Sequence, residues 1–381
     1  MTPVKNHPIK VAMIAQDYLP LLGGAERQIS ALAPLLKERG VEVQVLTRRY
    51  SGLLPFEMIG DVPVYRLPVL KTKALASIAF TATGISLIKR LRPDIIHAHG
   101  LLSPTTMAVM AKRLWGTPIA SKSLRGGILG DFERLINRPL GRYRYHVLQK
   151  YVDAFIAISN EIKDEFIESG VPSEKCNFIP NGVKLDKFLP VDTSAKIQLR
   201  RQLQLPEGMI VIFAGRLERE KRVDDLVKVW QEVQQQHPDK YLLILGTGSQ
   251  ETRLKEMATG NVLFKGAVDN VAPYLQASDM FVLPSVAEGL SNALLEALAT
   301  GLPVVVTATG GTTDIVRHKV SGWLIHDYEA RALLEGILTF LQDRSLREKC
   351  ALEGRRLVME NYSLTNTADS LCKLYNNLLS R

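Results

Sequence analysis

The stretch Glu288-Gly289-Leu290-Ser291-Asn292-Ala293-Leu294-Leu295-Glu296 places two carboxylates on either side of a small-residue turn. An apolar run, Met280-Phe281-Val282-Leu283, precedes it, and a helical pattern follows. A strand, a glycine turn and a helix start together turn backbone N–H groups toward an anion such as a phosphate. Ser291 is a candidate cap for that helix. Asn292 and Glu296, four apart, share a helix face. If that face meets the core, Glu296 is a buried charge in need of a partner. A pair of ligand hydroxyls would supply one. Carboxylates also hydrogen-bond sugar hydroxyls, so the stretch points to an enzyme that handles a sugar nucleotide.

Other residues fit the same chemistry. An apolar strand ends at Gly215, and Arg216 and Lys221 flank the turn after it. Two cations there would neutralise a diphosphate leaving group. Gly246-Thr247-Gly248 follows another apolar run, but position 251 is Glu, so the dinucleotide pattern is incomplete. Gly23 and Gly24 stand between the first strand and a helix, where paired glycines let a ligand approach the backbone. His97 and His99 end a strand, and His99, nearer its tip, is the better placed of the two for ligand contact. Arg125 precedes Gly126-Gly127 in the next strand-to-helix loop and suits a phosphate or carboxylate.

The elements that position these residues alternate. Strands are expected at Ile9–Ala15, Val41–Thr47, Val62–Leu67, Ile95–His99, Pro118–Ser123, Ala154–Ser159 and Asn177–Ile179. Helices are expected at Ala25–Glu38, Lys73–Leu91, Pro104–Trp115, Glu133–Tyr151 and Asn160–Ser169. The pattern pauses from Pro180 to Ser194, which reads as a linker, and then restarts. The later strands are Met209–Ala214, Tyr241–Leu245, Val262–Lys265, Met280–Leu283, Val304–Thr307 and Trp323–Ile325. The later helices are Asp224–Gln236, Gln250–Thr259, Val271–Ala277, Asn292–Thr300 and Tyr328–Asp343, with a helical tail of Leu346–Glu360 and Ser363–Leu379. Strands that are apolar at nearly every position, separated by helices, indicate parallel sheets covered on both faces. The chain therefore reads as two doubly wound α/β domains, with ligands at the carboxyl ends of the strands.

Composition narrows the class. A hydrophobic share of 46% with 23% charged residues over 381 residues provides core for two domains. The net charge of +9 is uneven. Residues 1–190 hold 26 Lys+Arg against 16 Asp+Glu, and the remainder hold 22 against 23. An anionic partner for the first half follows, and an anionic membrane surface is one candidate. The basic run Arg134, Arg138, Arg142, Arg144 and Lys150 would face it, although Pro139 and Gly141 interrupt any continuous amphipathic helix. No nucleic-acid module or aromatic stacking platform accompanies the charge, which argues against nucleic acid. Three scattered cysteines without a CxxC pair favour a reducing compartment and neither a zinc site nor a disulfide framework. The apolar run Ala74 to Ile88 is shorter than the roughly 20 residues of a membrane span. A cytoplasmic enzyme, peripheral on the inner face of the membrane, is the expectation.

Taken together, these motifs resemble the retaining GT-B glycosyltransferases of the large bacterial family-four type, the glycosyl transferases of group 1. The carriers in the second half are Gly215-Arg216-Leu217 with Lys221, Gly246-Thr247-Gly248, Phe264-Lys265-Gly266, Glu288-Gly289-Leu290 with Glu296, and Gly310-Gly311 before Asp314. In the first half they are Gly23-Gly24-Ala25-Glu26, Pro93-Asp94-Ile95-Ile96-His97-Ala98-His99 and Ile179-Pro180-Asn181-Gly182-Val183. The resemblance covers nearly the whole chain. It implies an α/β GT-B fold, two Rossmann-like domains facing across a cleft. An acceptor domain would span 1–185 and a nucleotide-sugar donor domain 186–362, with a final helix, 363–381, crossing back to the first.

The resemblance also implies roles. Arg216 and Lys221 would hold the donor diphosphate, helped by Gly215, Gly246, Gly289 and the backbone of Leu290, Ser291 and Asn292. Glu296 would take the ribose hydroxyls, Glu288 the donor sugar, and the backbone at Val268 the base. Gly23, Gly24, His99 and Arg125 would lie on the acceptor side. Arg125 stands where many relatives carry a His that contacts the donor sugar, and Asp314 stands where Glu is usual. With no Asp-x-Asp motif, no metal or other cofactor is expected, and the nucleotide-diphospho-sugar is a co-substrate. A UDP-sugar is favoured over GDP-mannose, with a glycan or lipid-linked acceptor in cell-surface polysaccharide or lipopolysaccharide synthesis. A phosphorylase or a sugar-nucleotide epimerase on the same frame is the rival enzyme reading, and a non-catalytic carbohydrate-binding protein the rival from another class.

Overall fold

The computed structural model describes residues 7–21, 23–69 and 73–380; the side chains of 73–77 fall outside the description. The chain divides into two compact units, Met1–Asn181 with Leu364–Arg381, and Gly182–Ser363. The terminal helix is part of the first unit, although it follows the second in sequence.

The first unit contains β1 (Ile9–Ile14), α1 (Gly24–Glu38), β2 (Val41–Arg48), β3 (Phe56–Ile59), β4 (Val62–Leu67), α2 (Lys73–Leu91) and β5 (Ile95–His99). It continues with α3 (Ser103–Trp115), β6 (Ile119–Lys122), α4 (Asp131–Ile136), α5 (Gly141–Tyr151), β7 (Ala154–Ala157), α6 (Asn160–Glu168) and β8 (Cys176–Phe178). The second unit contains α7 (Thr193–Gln202), β9 (Ile210–Ala214), α8 (Val223–Gln236), β10 (Tyr241–Leu245), α9 (Glu251–Met257), β11 (Val262–Gly266) and α10 (Ala272–Ala277). It ends with β12 (Met280–Leu283), α11 (Asn292–Ala299), β13 (Val304–Thr307), α12 (Thr312–Ile315), β14 (Trp323–Ile325), α13 (Ala330–Gln342) and α14 (Arg344–Asn361). The chain then returns to the first unit through α15 (Leu364–Leu379).

Sheet order in the first unit is β3-β4-β2-β1-β5-β6-β7-β8, and in the second β11-β10-β9-β12-β13-β14. Every pairing is parallel except β3 with β4. The central strands β5 and β9 are buried at all positions, as strands covered on both faces must be. Among the parallel strands each order reverses direction once, at β1/β5 in the first sheet and at β9/β12 in the second. In doubly wound sheets a crevice opens at the carboxyl ends of the two strands flanking such a reversal.

In the first unit one core cluster joins β1, β2 and β5 to the apolar faces of α1 and α15. Ile29, Leu32, Ala33 and Leu36 supply the α1 stripe, and Leu371, Leu374, Tyr375 and Leu378 the α15 stripe. Tyr375 then reaches the sheet itself, its hydroxyl lying 2.7 Å from His97 Nδ1. This packing makes the terminal helix integral to the first unit.

The structure corrects three sequence expectations. The single helix expected over Glu133–Tyr151 is two, α4 and α5, because Pro139 brings no N–H and Leu140 takes a left-handed φ of 58°. The edge strand β3 was not foreseen. It alternates exposed and half-buried residues and pairs antiparallel with β4, so it lacks the apolar run of its neighbours. Helix α7 opens inside the expected linker, where the Asp192 carboxylate accepts from Ala195 N at 2.8 Å. Arg200 is its single buried residue, so its sequence carries almost no apolar stripe.

Candidate active site

The second unit gathers its chemistry at the carboxyl edge of the sheet. Gly215 follows β9, its N–H donating to Leu245 O at 3.0 Å, and the Gly246 N–H donates to Gly266 O at 2.7 Å. The segments after β9, β10 and β11 are thus tied together through backbone. Glu218 adds a side-chain tie, its carboxylate accepting from Ser249 N at 3.1 Å and Ser249 Oγ at 2.6 Å. Leu217 is fully buried and anchors the turn, while the Arg216 side chain remains 55% exposed, 3.3 Å from Glu220.

Lys221 and Glu288 meet at the β9/β12 reversal. Lys221 Nζ donates to Glu288 Oε1 at 2.5 Å, and the two side chains are 12% and 10% exposed. Val286 N donates to Glu220 O at 2.9 Å, which fixes the same two segments through backbone. The ion pair therefore sits where a doubly wound sheet opens its ligand crevice. Its two partners are 67 positions apart in sequence, and residue types alone gave no sign that they would touch.

The turn after Glu288 is held from below. Gly311 N donates to Gly289 O at 2.6 Å. Gly310 has φ +53°, and a Cβ there would stand 2.2 Å from Glu288 O, so only glycine allows this approach. Ser291 caps α11, its Oγ accepting from Leu294 N at 3.3 Å. Helix α11 buries Leu294, Leu295, Ala297, Leu298 and Ala299. Asn292 and Glu296 lie on its half-buried side. The condition of a face turned wholly to the core is not met, since Glu296 is half-buried. Val268, in the loop after β11, is half-buried as well.

The first unit arranges its residues around the β1/β5 reversal. Gly23 is the extended N-cap residue of α1, and Gly24 opens the helix. His97 and His99 stack, with centroids 4.3 Å apart and planes at 19°. Both are buried, so nearness to the strand tip leaves His99 hardly more exposed than His97. Two positions along a strand return a side chain to the same face, and the α15 helix covers that face. Burial pushes the His97 pKa down to about 3 and holds that of His99 well below the ordinary histidine range. Both rings are therefore neutral near pH 7. Neither nitrogen of His99 has a hydrogen-bond partner among the described residues.

Beside His99 in the register is Lys122, a residue that sequence reasoning passed over. Lys122 is buried, its Nζ donates to Asn181 Oδ1 at 2.9 Å, and burial lowers its pKa to about 8. A lysine closing the short strand Ile119-Ala120-Ser121-Lys122 was the available signal. Arg125 is half-buried in a loop shaped by carboxylates. Asp131 accepts from Leu124 N at 2.8 Å, and Glu165 accepts from Gly127 N at 2.5 Å. Burial raises the pKa of Glu165 to about 7, offset in part by that hydrogen bond. Among the described residues no His, Cys, Asp and Glu cluster could hold a metal ion.

Two doubly wound units, with cations and a helix N-terminus at a strand-order reversal, define the GT-B class of α/β proteins. The model of "Glycosyltransferase Family 4" matches residues 22–187, and that of "Glycosyl transferases group 1" matches residues 195–357. The chain belongs to this glycosyltransferase family. It is 28% identical over 391 residues to an uncharacterized glycosyltransferase of Methanocaldococcus jannaschii, covering 96% of this chain and 98% of the other. It is 25% identical to the Escherichia coli UDP-Gal:alpha-D-GlcNAc-diphosphoundecaprenol alpha-1,3-galactosyltransferase, covering 98% of each. Among solved structures, sucrose-phosphate synthase from Thermosynechococcus elongatus superposes with a TM-score of 0.82 at 22% identity, over 98% of this chain and 99% of that one. Anabaena HepE in complex with UDP-glucose gives 0.79 at 20% identity, over 97% and 100%.

Proposed function

We propose that this glycosyltransferase moves a sugar from a nucleotide-diphospho-sugar to a glycan or lipid-linked acceptor, with retention at the anomeric carbon and without a metal ion. The observation that carries the reading is the Lys221–Glu288 pair at the β9/β12 reversal, beside the capped N-terminus of α11. The bond from the anomeric carbon to the diphosphate breaks, and a bond to the acceptor oxygen forms on the same face. The acceptor hydroxyl proton passes to the departing diphosphate. Lys221, Arg216 and the α11 terminus face the charge that grows on that leaving group, the role a metal ion would otherwise fill.

Glu288 orients Lys221 and reaches the transferring sugar. Glu296 takes the ribose hydroxyls from the open side of α11, with Asn292, Gly289, Leu290 and Ser291 along the diphosphate. Gly215, Gly246 and the backbone near Val268 line the nucleotide side. The first unit serves the acceptor through Gly23, Gly24 and Arg125, with His99 beneath that surface as a positioning residue.

A UDP-sugar is the favoured donor and GDP-mannose the next. HepE in complex with UDP-glucose and the UDP-galactose-dependent E. coli relative support that order. The lipid-diphosphate acceptor in the latter's name supports a lipid-linked acceptor here, in cell-surface polysaccharide or lipopolysaccharide synthesis. Such work places the enzyme in the cytoplasm, against the inner, anionic face of the membrane. Among the described residues no helix is long and apolar enough to cross a bilayer. A panel of nucleotide-sugars with membrane extract as acceptor source, read by nucleotide release, tests the reading. Acceptor-dependent release of UDP from one donor supports it. A requirement for inorganic phosphate, or sugar conversion without acceptor, would replace it with a phosphorylase or an epimerase.

A further inference from the structure

The second unit has a concave feature at the edge of its sheet opposite the candidate active site. A cavity of about 440 Å³ opens at the amino ends of β9, β12 and β13, with residues of α7 and α14 in its walls. Leu302 and Pro303 give it an apolar side, and Lys196, Arg200, Arg347, Asp279 and Glu348 supply its charges. Gly301 and Leu302 also line it, and their N–H groups donate to Leu298 O and Ala297 O, each at 3.0 Å. The cavity wall is thus tied to the last turn of α11. Asn292 and the candidate diphosphate turn lie at the other end of that helix, whose eight residues span about 12 Å. A molecule in this cavity is therefore not the donor.

The charges are unevenly spent. Asp279 accepts from Lys196 Nζ at 2.9 Å, from Arg200 Nη2 at 2.5 Å and from Ile210 N at 2.8 Å, so both its oxygens are occupied. Glu348 is exposed and pairs with Arg344 Nε at 2.7 Å. Arg200 is buried, and its other nitrogens donate to Ala277 O and Glu207 O. Lys196 gives one further hydrogen to Ser278 O at 2.7 Å and keeps a third. Arg347 is half-buried and differs from the rest. Its Nη1 donates to Phe340 O, while Nε and Nη2 meet no acceptor and the guanidinium joins no ion pair among the described residues. That unspent edge, Nε–H beside Nη2–H, is the fork that meets two oxygens of one anion at once. Three cations against two acids that are already paired favour an anionic occupant. The volume, low in the range of small-molecule sites, suits a hexose phosphate better than a nucleotide-sugar.

We propose that this cavity is a second ligand site, which holds the phosphate group of a small phosphorylated metabolite on Arg347, with Lys196 as the second donor. The proposal is independent of the transfer reaction. Calorimetric titration of the full chain with mannose 6-phosphate, and separately with inorganic phosphate, tests it at fixed ionic strength. The wild type is expected to bind the sugar phosphate saturably. Arg347→Met keeps the apolar stem and is expected to lose about tenfold or more in affinity. Glu348→Gln changes an exposed residue, so it folds as the wild type does, and is expected to bind about twofold more tightly. Arg216→Ala, at the opposite edge of the sheet, is expected to bind as the wild type does.

No binding by the wild type overturns the proposal. So does a loss in Arg216→Ala with none in Arg347→Met, which would place the phosphate at the donor edge. Weaker binding by Glu348→Gln overturns the anionic character of the occupant. Equal affinity for inorganic phosphate supports the anion site and overturns a role for the body of the metabolite.

Discussion

Lys221 Nζ stands 2.5 Å from Glu288 Oε1 and joins the segment after β9 to the segment after β12. Both side chains are nearly buried, so each charge depends on the other. Removing one partner strands a buried charge and costs about 3 kcal/mol or more. Lys221→Met and Glu288→Leu are each expected to lower the thermal midpoint by several degrees. The double variant is expected to recover most of the loss while remaining inactive. Additive losses in the double variant would show that the pair is not coupled.

Arg216 gives the opposite profile. It is 55% exposed, and its contact to Glu220 spans 3.3 Å. Arg216→Ala is expected to change stability by less than about 0.5 kcal/mol. Its turnover is expected to fall on the order of a hundredfold or more, as for a donor aimed at a developing anion. A raised KM with unchanged kcat would move Arg216 from the leaving group to simple donor binding.

Gly310 supports Glu288 from beneath. Gly310→Ala combines a left-handed backbone with a Cβ 2.2 Å from Glu288 O. Gly266 provides the control, since its φ is +68° and nothing lies within 4 Å of a Cβ there. Gly266→Ala is expected to cost about 1 kcal/mol, the backbone strain alone. Gly310→Ala is expected to cost more in chemical denaturation and to weaken donor binding as well. Equal costs would show that the turn yields freely.

The buried histidines make the first unit acid-sensitive. The folded pKa of His97 is about 3, below its ordinary value of 6.5, so the unfolded chain takes up its proton first. The contribution is fully present above pH 6.5 and is lost as pH falls toward 3. Within that window the loss approaches about 1.4 kcal/mol per pH unit per histidine. Glu165 acts in the other direction. Its folded pKa of about 7 lies above the ordinary 4.5, so its contribution is present below 4.5 and lost as pH rises through 7. His97→Gln, which still reaches Tyr375, is expected to flatten the decline in unfolding free energy between pH 6.5 and 5. An unchanged slope would show that the histidines titrate normally.

Much of this architecture is legible in the sequence. Strands such as Ile210–Ala214 and Val304–Thr307 are apolar throughout because helices cover both faces, and such runs announce themselves. The capped turn at Ser291 is equally plain, because an N-cap is a local event. What stayed hidden depends on distance or on weak patterning. Lys221 meets Glu288 only after the sheet has set β12 beside β9. His99 is buried against His97, whose other neighbour, Tyr375 of α15, is in place only because the terminal helix returns to the first unit. The half-buried face of Glu296 could not be assigned from spacing, since period alone does not say which side of α11 meets the core.

The central claim is that the carboxyl edge of the second sheet holds a nucleoside diphosphate. Calorimetric titration of the full chain with UDP, GDP and ADP, repeated on Glu296→Ala, tests it most directly. We expect the wild type to bind UDP most tightly. We expect Glu296→Ala to lose on the order of tenfold or more, the worth of a charged hydrogen bond to ribose. No binding of any of the three by the wild type, or the same affinity in the variant, would contradict the account.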